Sequence, residues 1–431
     1  MTVEIKAELT QEYVVSVSNQ LNDPDWLRQR RLEGFQLGQS LALPKPEKTA
    51  IHDWNMGDFI LYFDQAPYQR LADLPEKVQR FIAPEAHVVV HKDGRPVFSQ
   101  FSEQLKEKGV IFTDLTQAVK QHGDLVRRYM HRLVKPNEHK LTAIHGALFN
   151  CGIFIYVPEG IHIEIPLQSI WWQEREQAGL LPHVILVAEK GSKVTYLEYA
   201  LGGEKGAGVN HYVAEVFVGP GANVTFAALD NFASPVTNYV WRRAHVEQDG
   251  RIDWALGQMH DGNTLSENLT ILEGNGSRAE SKSVTIGRGS QSQNFVQKII
   301  HIGRGSEGYI LGHAVMKDQA RGIFNGISKI EKGAAKANGQ QTERVLMLSD
   351  QARGDANPIL LIDEDDVKAS HAASVGQVDK MQLFYLMSRG IPREEAERLI
   401  ILGFLNPVVE KIPLESLKQQ LIHVIERKVR P

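Results

Sequence analysis

Between residues 143 and 376 the chain alternates. Short runs of β-branched and aromatic residues, many with polar residues at every second position, follow one another, and each opens at a glycine-bearing turn. Ile161-His162-Ile163-Glu164-Ile165 follows Gly160, and Val194-Thr195-Tyr196-Leu197-Glu198 follows Gly191. Val224-Thr225-Phe226 follows Gly221, and Ile252-Asp253-Trp254-Ala255-Leu256 follows Gly250. Period two with one buried face is the pattern of a strand. The turn glycines fall at 160, 191, 221, 250, 276, 305 and 333, so the intervals are 31, 30, 29, 26, 29 and 28 residues. A drifting spacing of this size, sustained over most of a chain, predicts a stacked repeat. Glycine supplies the positive-φ corner that a Cβ resists. No amphipathic helix of ten or more residues interrupts the series, which argues against a βαβ sheet. A β-solenoid, an antiparallel β-sandwich and a pair of smaller β domains all stay open on this pattern.

The flanks read differently. Residues 1–20 form a polar leader or a short helix. Asp23-Pro24-Asp25 then starts a helix, with acidic groups at its positive end. Its large apolar residues share one face, and its arginines read as solvated. Pro44 and Pro46 end it. Residues 50–100 mix short strands and loops. His87-Val88-Val89-Val90-His91 before Asp93-Gly94 predicts a strand entering a hairpin turn. His87 and His91 share one face of that strand and read as surface polar residues before a metal pair. Helical signals return over 103–134, and Pro136 closes the region.

After Gly376 the period lengthens to that of a helix. One helix is predicted over 378–389, with Met381, Phe384, Tyr385 and Leu386, stopping at Gly390. A second opens at Pro392 and ends before Asn406-Pro407. A third runs from about Leu414 with Leu417, Leu421, Val424 and Ile425 on one stripe. Phe404 and Leu405 read as exposed, so this region suits a docking surface, packing against the end of the β region, or both. The chain thus divides into a mostly helical N-terminal domain at 1–140, a β core at 141–372 and a small helical domain at 373–431.

Composition narrows the class. At 431 residues the chain exceeds one ordinary core, and its 42% hydrophobic and 23% charged residues are those of a soluble globular protein. A formal net charge of −4 argues against a nucleic-acid binder. A single cysteine excludes an intrachain disulfide framework and fits a reducing compartment. Residues 1–13 carry three acidic residues and no apolar core, so no signal peptide is expected. The apolar run 399–405 is far shorter than the ~20 residues that span a bilayer. The expectation is a cytoplasmic protein without membrane contact.

Candidate chemistry is sparse. Gly303-Arg304-Gly305-Ser306-Glu307-Gly308 spells G-x-G-x-x-G, but strand rather than helix follows it, so it reads as a by-product of the glycine corners. No P-loop, H-E-x-x-H or G-x-S-x-G string occurs. Cys151, in an apolar run, reads as a small buried hydrophobe before a nucleophile or ligand. The acidic run Asp363-Glu364-Asp365-Asp366 reads as an exposed turn before a hard-cation site. It is also the only tight carboxylate group for a β-helical carbohydrate-active enzyme. A plain interaction protein is a further alternative.

Specific strings then carry a resemblance. Val157-Pro158-Glu159-Gly160 with Ile165-Pro166-Leu167-Gln168-Ser169, the run Asp365-Asp366-Val367-Lys368-Ala369-Ser370-His371-Ala372-Ala373-Ser374-Val375-Gly376, and Gln382-Leu383-Phe384-Tyr385-Leu386-Met387-Ser388-Arg389-Gly390-Ile391 followed by Glu394-Glu395-Ala396 and Gly403-Phe404 resemble the SufB/SufD family of iron–sulfur cluster assembly proteins. The likeness covers roughly residues 20–430, and the string around His371 points to the SufD branch. It implies a mainly β fold, a right-handed parallel β-helix core flanked by the two helical domains. It implies a non-catalytic scaffold subunit that couples the ATP hydrolysis of a partner to nascent cluster assembly. The partners implied are a SufB-like paralogue through the β-helix and a SufC-like ATPase through the C-terminal helices, at Phe384, Tyr385, Arg389, Gly390 and Phe404. A homodimer of the isolated chain is a further expectation. His371 matches the family histidine associated with the nascent Fe–S cluster at the partner interface. No cofactor is expected on the chain alone, although a flavin is associated with the assembled complex in the family. Family members often carry cysteine two residues before that histidine, whereas Ala369 stands here. Thiolates are the usual cluster ligands, so they must come mainly from the partner.

Overall fold

The structure, a computed structural model, describes residues 2–5, 9–82, 85–206, 208–233, 235–412 and 414–429. Two ten-stranded sheets dominate it. In one, Lys193–Gly202 pairs in parallel with Asn223–Phe232, that with Arg251–Gln258, and so on to Lys368–Gln377. In the other, the same parallel stacking runs from Pro182–Ala188 to Arg353–Ile362. The chain passes from one sheet to the other and back in each repeat, forming a β-solenoid of about eight coils.

The glycine intervals are therefore coil lengths. Gly191 and Gly221 take φ of 64° and 63° at their corners. At the 249–250 corner the positive φ, 55°, belongs to Asp249 instead, a residue type that tolerates the left-handed region. Each interval holds two strands. The second corner of each coil has no signature that runs the length of the chain: Asp318-Gln319-Ala320-Arg321-Gly322 recurs one coil later as Asp350-Gln351-Ala352-Arg353-Gly354, but the corner before them reads Arg288-Gly289-Ser290-Gln291.

Inward side chains from both sheets form one core, in which Tyr196, Phe226, Trp254, Tyr212 and Val240 meet. Each sheet also has a covered outer face. The helices Gln11–Leu21, Asp25–Ser40 and Lys140–Leu148 lie on one, where Val14, Val17, Leu27 and Leu141 join Ile185, Val213 and Tyr239. The contact includes a polar seam. His145 Nε2 lies 3.1 Å from His183 Nδ1, and His183 Nε2 lies 2.9 Å from Glu215. Glu215 also accepts the backbone N–H groups of His131, Leu133 and Val134.

Two expectations for this region change. Arg31 is not solvated: it is fully buried, donates to Asp23 at 2.6 Å and to the carbonyls of Ala147 and Phe149, and lies 4.0 Å from the Phe149 ring centre. The hairpin of His87–Lys92 and Arg95–Gln100 is present and turns at Asp93-Gly94. Its histidines, however, are buried rather than surface polar. His91 bonds Asp114 at 2.8 Å and stacks on Trp171, and His87 packs edge-on to Phe101. The partners lie in other elements, because His87–Lys92 joins the solenoid sheet beside Leu167–Gln173.

The C-terminal helices Arg393–Val409 and Glu415–Val429 cover the outer face of the second sheet. Ile401, Leu405, Leu417, Leu421, Val424 and Ile425 pack there on Leu197, Tyr199, Leu229 and Ala255. Lys428, fully buried, bonds Asp261 and pins the last turn, although burial pulls its pKa down to about 8. The helices thus lie along the flank and do not pack over the solenoid's end. Arg393–Val409 also runs through Pro407 instead of stopping before it. Pro407 sits in the last turn, where a missing N–H costs one bond, and burial of Leu405, Val408 and Val409 holds that turn to the sheet.

Candidate functional site

The two ends of the solenoid differ. At the N-terminal end the outermost strands are Arg95–Gln100 and Ile111–Asp114, both paired antiparallel, and Phe101 and Leu105, which lie between them in the chain, pack over the core. At the other end Lys368–Gln377 and Arg353–Ile362 are the last strands of their sheets. Nine of the ten residues of Lys368–Gln377 are exposed. Lys368 donates its N–H inward to Ala337 O and Val378 to Met347 O. The alternation of the ladder then turns the N–H and C=O groups of the odd-numbered residues, among them His371, Ala373 and Val375, outward. Such an edge invites another strand, and Leu361, Ile362 and Val375 stand exposed beside it.

Register places His371 at the mouth. In Asn338–Met347, Gly339, Gln341, Glu343 and Val345 are buried while Gln340 and Arg344 are exposed, so the odd positions face the lumen. His371 pairs with Gln341 and ends an inward column that reads Leu167, Tyr196, Phe226, Trp254, Ser281, Ile310, Gln341, His371. The neighbouring column ends Ser283, Gly312, Glu343, Ala373. The lumen is mostly apolar and aromatic near the sealed end, and polar side chains gather near the open one.

The polar lining is incompletely bonded. Gln341 Nε2 donates to Ser328 Oγ at 2.8 Å and to Ile359 O at 3.0 Å, but its Oε1 has no partner. Glu343, 4% exposed, leaves Oε2 buried without a partner. Burial pushes its carboxyl up to about 8. Both side chains converge on Gly326 of the facing sheet: a Cβ there would lie 2.6 Å from Glu343 Oε1 and 3.0 Å from Gln341 Oε1. Nothing in the local sequence announces this pair, because its neighbours belong to other coils.

The remaining candidates fall elsewhere. Cys151 is fully buried at the start of Cys151–Val157, far along the fold from His371, and burial with the nearby Asp114 pushes its thiol well up. Asp363-Glu364-Asp365-Asp366 links the two end strands, where Glu364 accepts the Gly333 N–H. The 303–308 glycines turn into the strand Glu307–Met316. Among the described residues no group of three or more His, Cys, Asp or Glu side chains is placed to hold a metal ion.

A second exposed feature lies beyond the mouth. Helix Lys380–Ser388 is capped by Asp379, which accepts the N–H of Met381 and Gln382, and buries only Leu383. Met381, Phe384 and Tyr385 are 72%, 66% and 56% exposed, an apolar face with no cover among the described residues. Arg389 stacks over Tyr385 and donates to its hydroxyl, and Gly390 turns the chain at φ 85°. Phe404 is half-buried and turned to the solenoid, where His313 Nδ1 donates to its carbonyl at 2.7 Å.

A β-solenoid sealed at one end, open at the other and bearing a histidine on the open rim defines a class of repeat protein whose coil another chain can extend. Comparison with known proteins identifies the family. Residues 171–404 match the family described as SUF system FeS cluster assembly, SufBD core domain, and residues 87–169 match the SufBD protein N-terminal region. The chain is 51% identical to the iron–sulfur cluster assembly protein SufD of Bacillus subtilis (strain 168), with all of both chains covered. It is 28% identical to an iron–sulfur cluster assembly SufBD family protein of Staphylococcus aureus (strain MRSA252), over 94% of this chain and 90% of that one. The chain belongs to the SufBD family of the SUF iron–sulfur cluster assembly system. Among the described residues no helix is long and apolar enough to cross a membrane.

Proposed function

We propose that this chain is a non-catalytic scaffold for iron–sulfur cluster assembly whose open end pairs with a SufB-like solenoid. The observation that carries this reading is the unpaired terminal strand Lys368–Gln377 with His371 on its inward column. A strand added to that edge satisfies a row of backbone groups and gives affinity without a pocket. The nascent cluster is cargo of this junction. His371 offers an imidazole nitrogen there, and the thiolates come from the partner, since the one cysteine of this chain lies buried at a distant coil. The exposed helix Lys380–Ser388 receives a SufC-like ATPase, consistent with the absence of a P-loop in the sequence. Hydrolysis there reaches the junction through the short segment between Gln377 and Lys380.

His371→Ala tests the site. It removes an exposed side chain, so the fold and the partner complex are expected to survive. Cluster maturation in cells, read from the activity of an iron–sulfur enzyme, is expected to fall at least about tenfold, the loss that goes with removing a metal-site contact. Wild-type maturation with an intact complex would take His371 out of the mechanism.

A further inference from the structure

We infer that the chain capping the open end sends a lysine or arginine side chain into the solenoid, where it pairs with Glu343. The inference rests on the reading of that end as an assembly face and names the chemistry of the partner. Glu343 Oε2 and Gln341 Oε1 are two buried acceptors with no donor, side by side against Gly326. Buried acceptors are nearly always bonded, and a lone carboxyl inside a β-coil weakens the fold it sits in. Among the described residues the nearest side-chain amides are committed elsewhere, and His371 stands in register over Gln341, whereas Ala373 stands over Glu343. Gln341 Nε2 is committed to Ser328 and Ile359, Gln297 Nε2 to Ser283, and the neighbouring Arg344 is exposed on the outer face.

A path from outside exists. In register, Ala373 lies over Glu343, Pro358 over Gly326 and Ala356 over Phe324. One coil of small residues therefore separates the carboxyl from the end, a depth of about 4.8 Å. A Lys or Arg stem spans that distance, burying its methylenes against those residues and delivering its charge beyond them. The link between the two end strands carries both signs, Asp363 to Asp366 beside Lys329, Lys332 and Lys368, so the buried carboxyl and not the rim selects the cation.

Glu343→Gln keeps the shape and removes the carboxyl that an incoming cation would ionise. The full-length variant, titrated with the SufB-family paralogue from the same genome, is expected to bind at least about thirtyfold more weakly than wild type, the loss that follows truncation of a buried charge pair. Its melting temperature alone is expected to be unchanged or higher. Carbodiimide treatment of the wild-type complex is expected to couple Glu343 to a partner lysine if the cation is an amine. Binding by the variant within about threefold of wild type would overturn the inference and leave the assembly reading intact. No complex with wild type would overturn both. A homodimer of the isolated chain, weakened equally by the substitution, would overturn the assignment to a different chain.

Discussion

Replacing Phe384 and Tyr385 together by aspartate is expected to abolish retention of the SufC-like ATPase while leaving the solenoid folded. In the helix Lys380–Ser388 Leu383 is buried and Leu386 half-buried, while Phe384 and Tyr385 are exposed and so contribute little to stability. Phe384 and Tyr385 lie on that free face, and Arg389, stacked over Tyr385, borders it. Aromatic and arginine side chains are the usual anchors of an interface, each worth about 2–4 kcal/mol on truncation. Two such losses, with two carboxylates to desolvate, exceed what a transient complex can spare. Co-purification and calorimetric titration of the full-length variant measure the effect. Phe404→Asp is the contrasting control. Its ring lies 5.0 Å from the His313 ring and its backbone is bonded there, so the expected loss is in thermal stability before binding. Undiminished ATPase retention by the double variant would remove this helix from the docking face.

Arg242→Ala is expected to cost about 3–5 kcal/mol of folding stability, because it leaves two buried carboxylates without their cation. Arg242 lies inside the solenoid and donates to both oxygens of Asp230, at 2.8 and 3.1 Å, and to Glu198 at 3.0 Å. Glu198 accepts in addition from Trp171 Nε1, Tyr196 and Tyr212. Burial works against the guanidinium charge, but Asp230 and Glu198 outweigh it and hold the pKa of Arg242 up. Burial also raises the carboxyl of Glu198, against the pull of Arg242. Loss of the cation therefore strands the network. A shift in the denaturant midpoint measures the cost, and a change under about 1 kcal/mol would show that the carboxylates are neutralised some other way. Glu198 and Glu343 thus differ in their surroundings: the first is fully paired within the chain, and the second, near the open end, is not.

Much of the solenoid was legible because a coil repeats. Glycine corners near 29-residue spacing and alternating apolar positions follow directly from stacking identical geometry. What was not legible depends on neighbours distant in sequence. Asn338–Met347 and Lys368–Gln377 have the same ten-residue length, and nothing within either says which one has no strand beyond it. Arg31 and His91 read as surface residues because the Ala147 and Phe149 carbonyls and Asp114, which accept from them, lie in other elements. The amphipathic stripe of Leu417, Leu421, Val424 and Ile425 was plain, but a stripe shows only that a face is buried and not against what. It lies on the flank of a sheet, and that placement leaves the end free. His371 was found through a family string rather than through its chemistry, and Glu343 was not found at all, since an orphaned acceptor becomes visible only when every possible donor has a position.

The most direct test of the open end is hydrogen exchange on the full-length chain, alone and bound to the SufB-like paralogue. The outward-facing backbone amides of 353–362 and 368–377 exchange fast in the free chain, because that side of each strand faces solvent. Strong protection of both segments on complex formation, with the outward amides of His371, Ala373 and Val375 among the slowest, is the predicted result. A complex that forms with those amides unchanged would contradict the account.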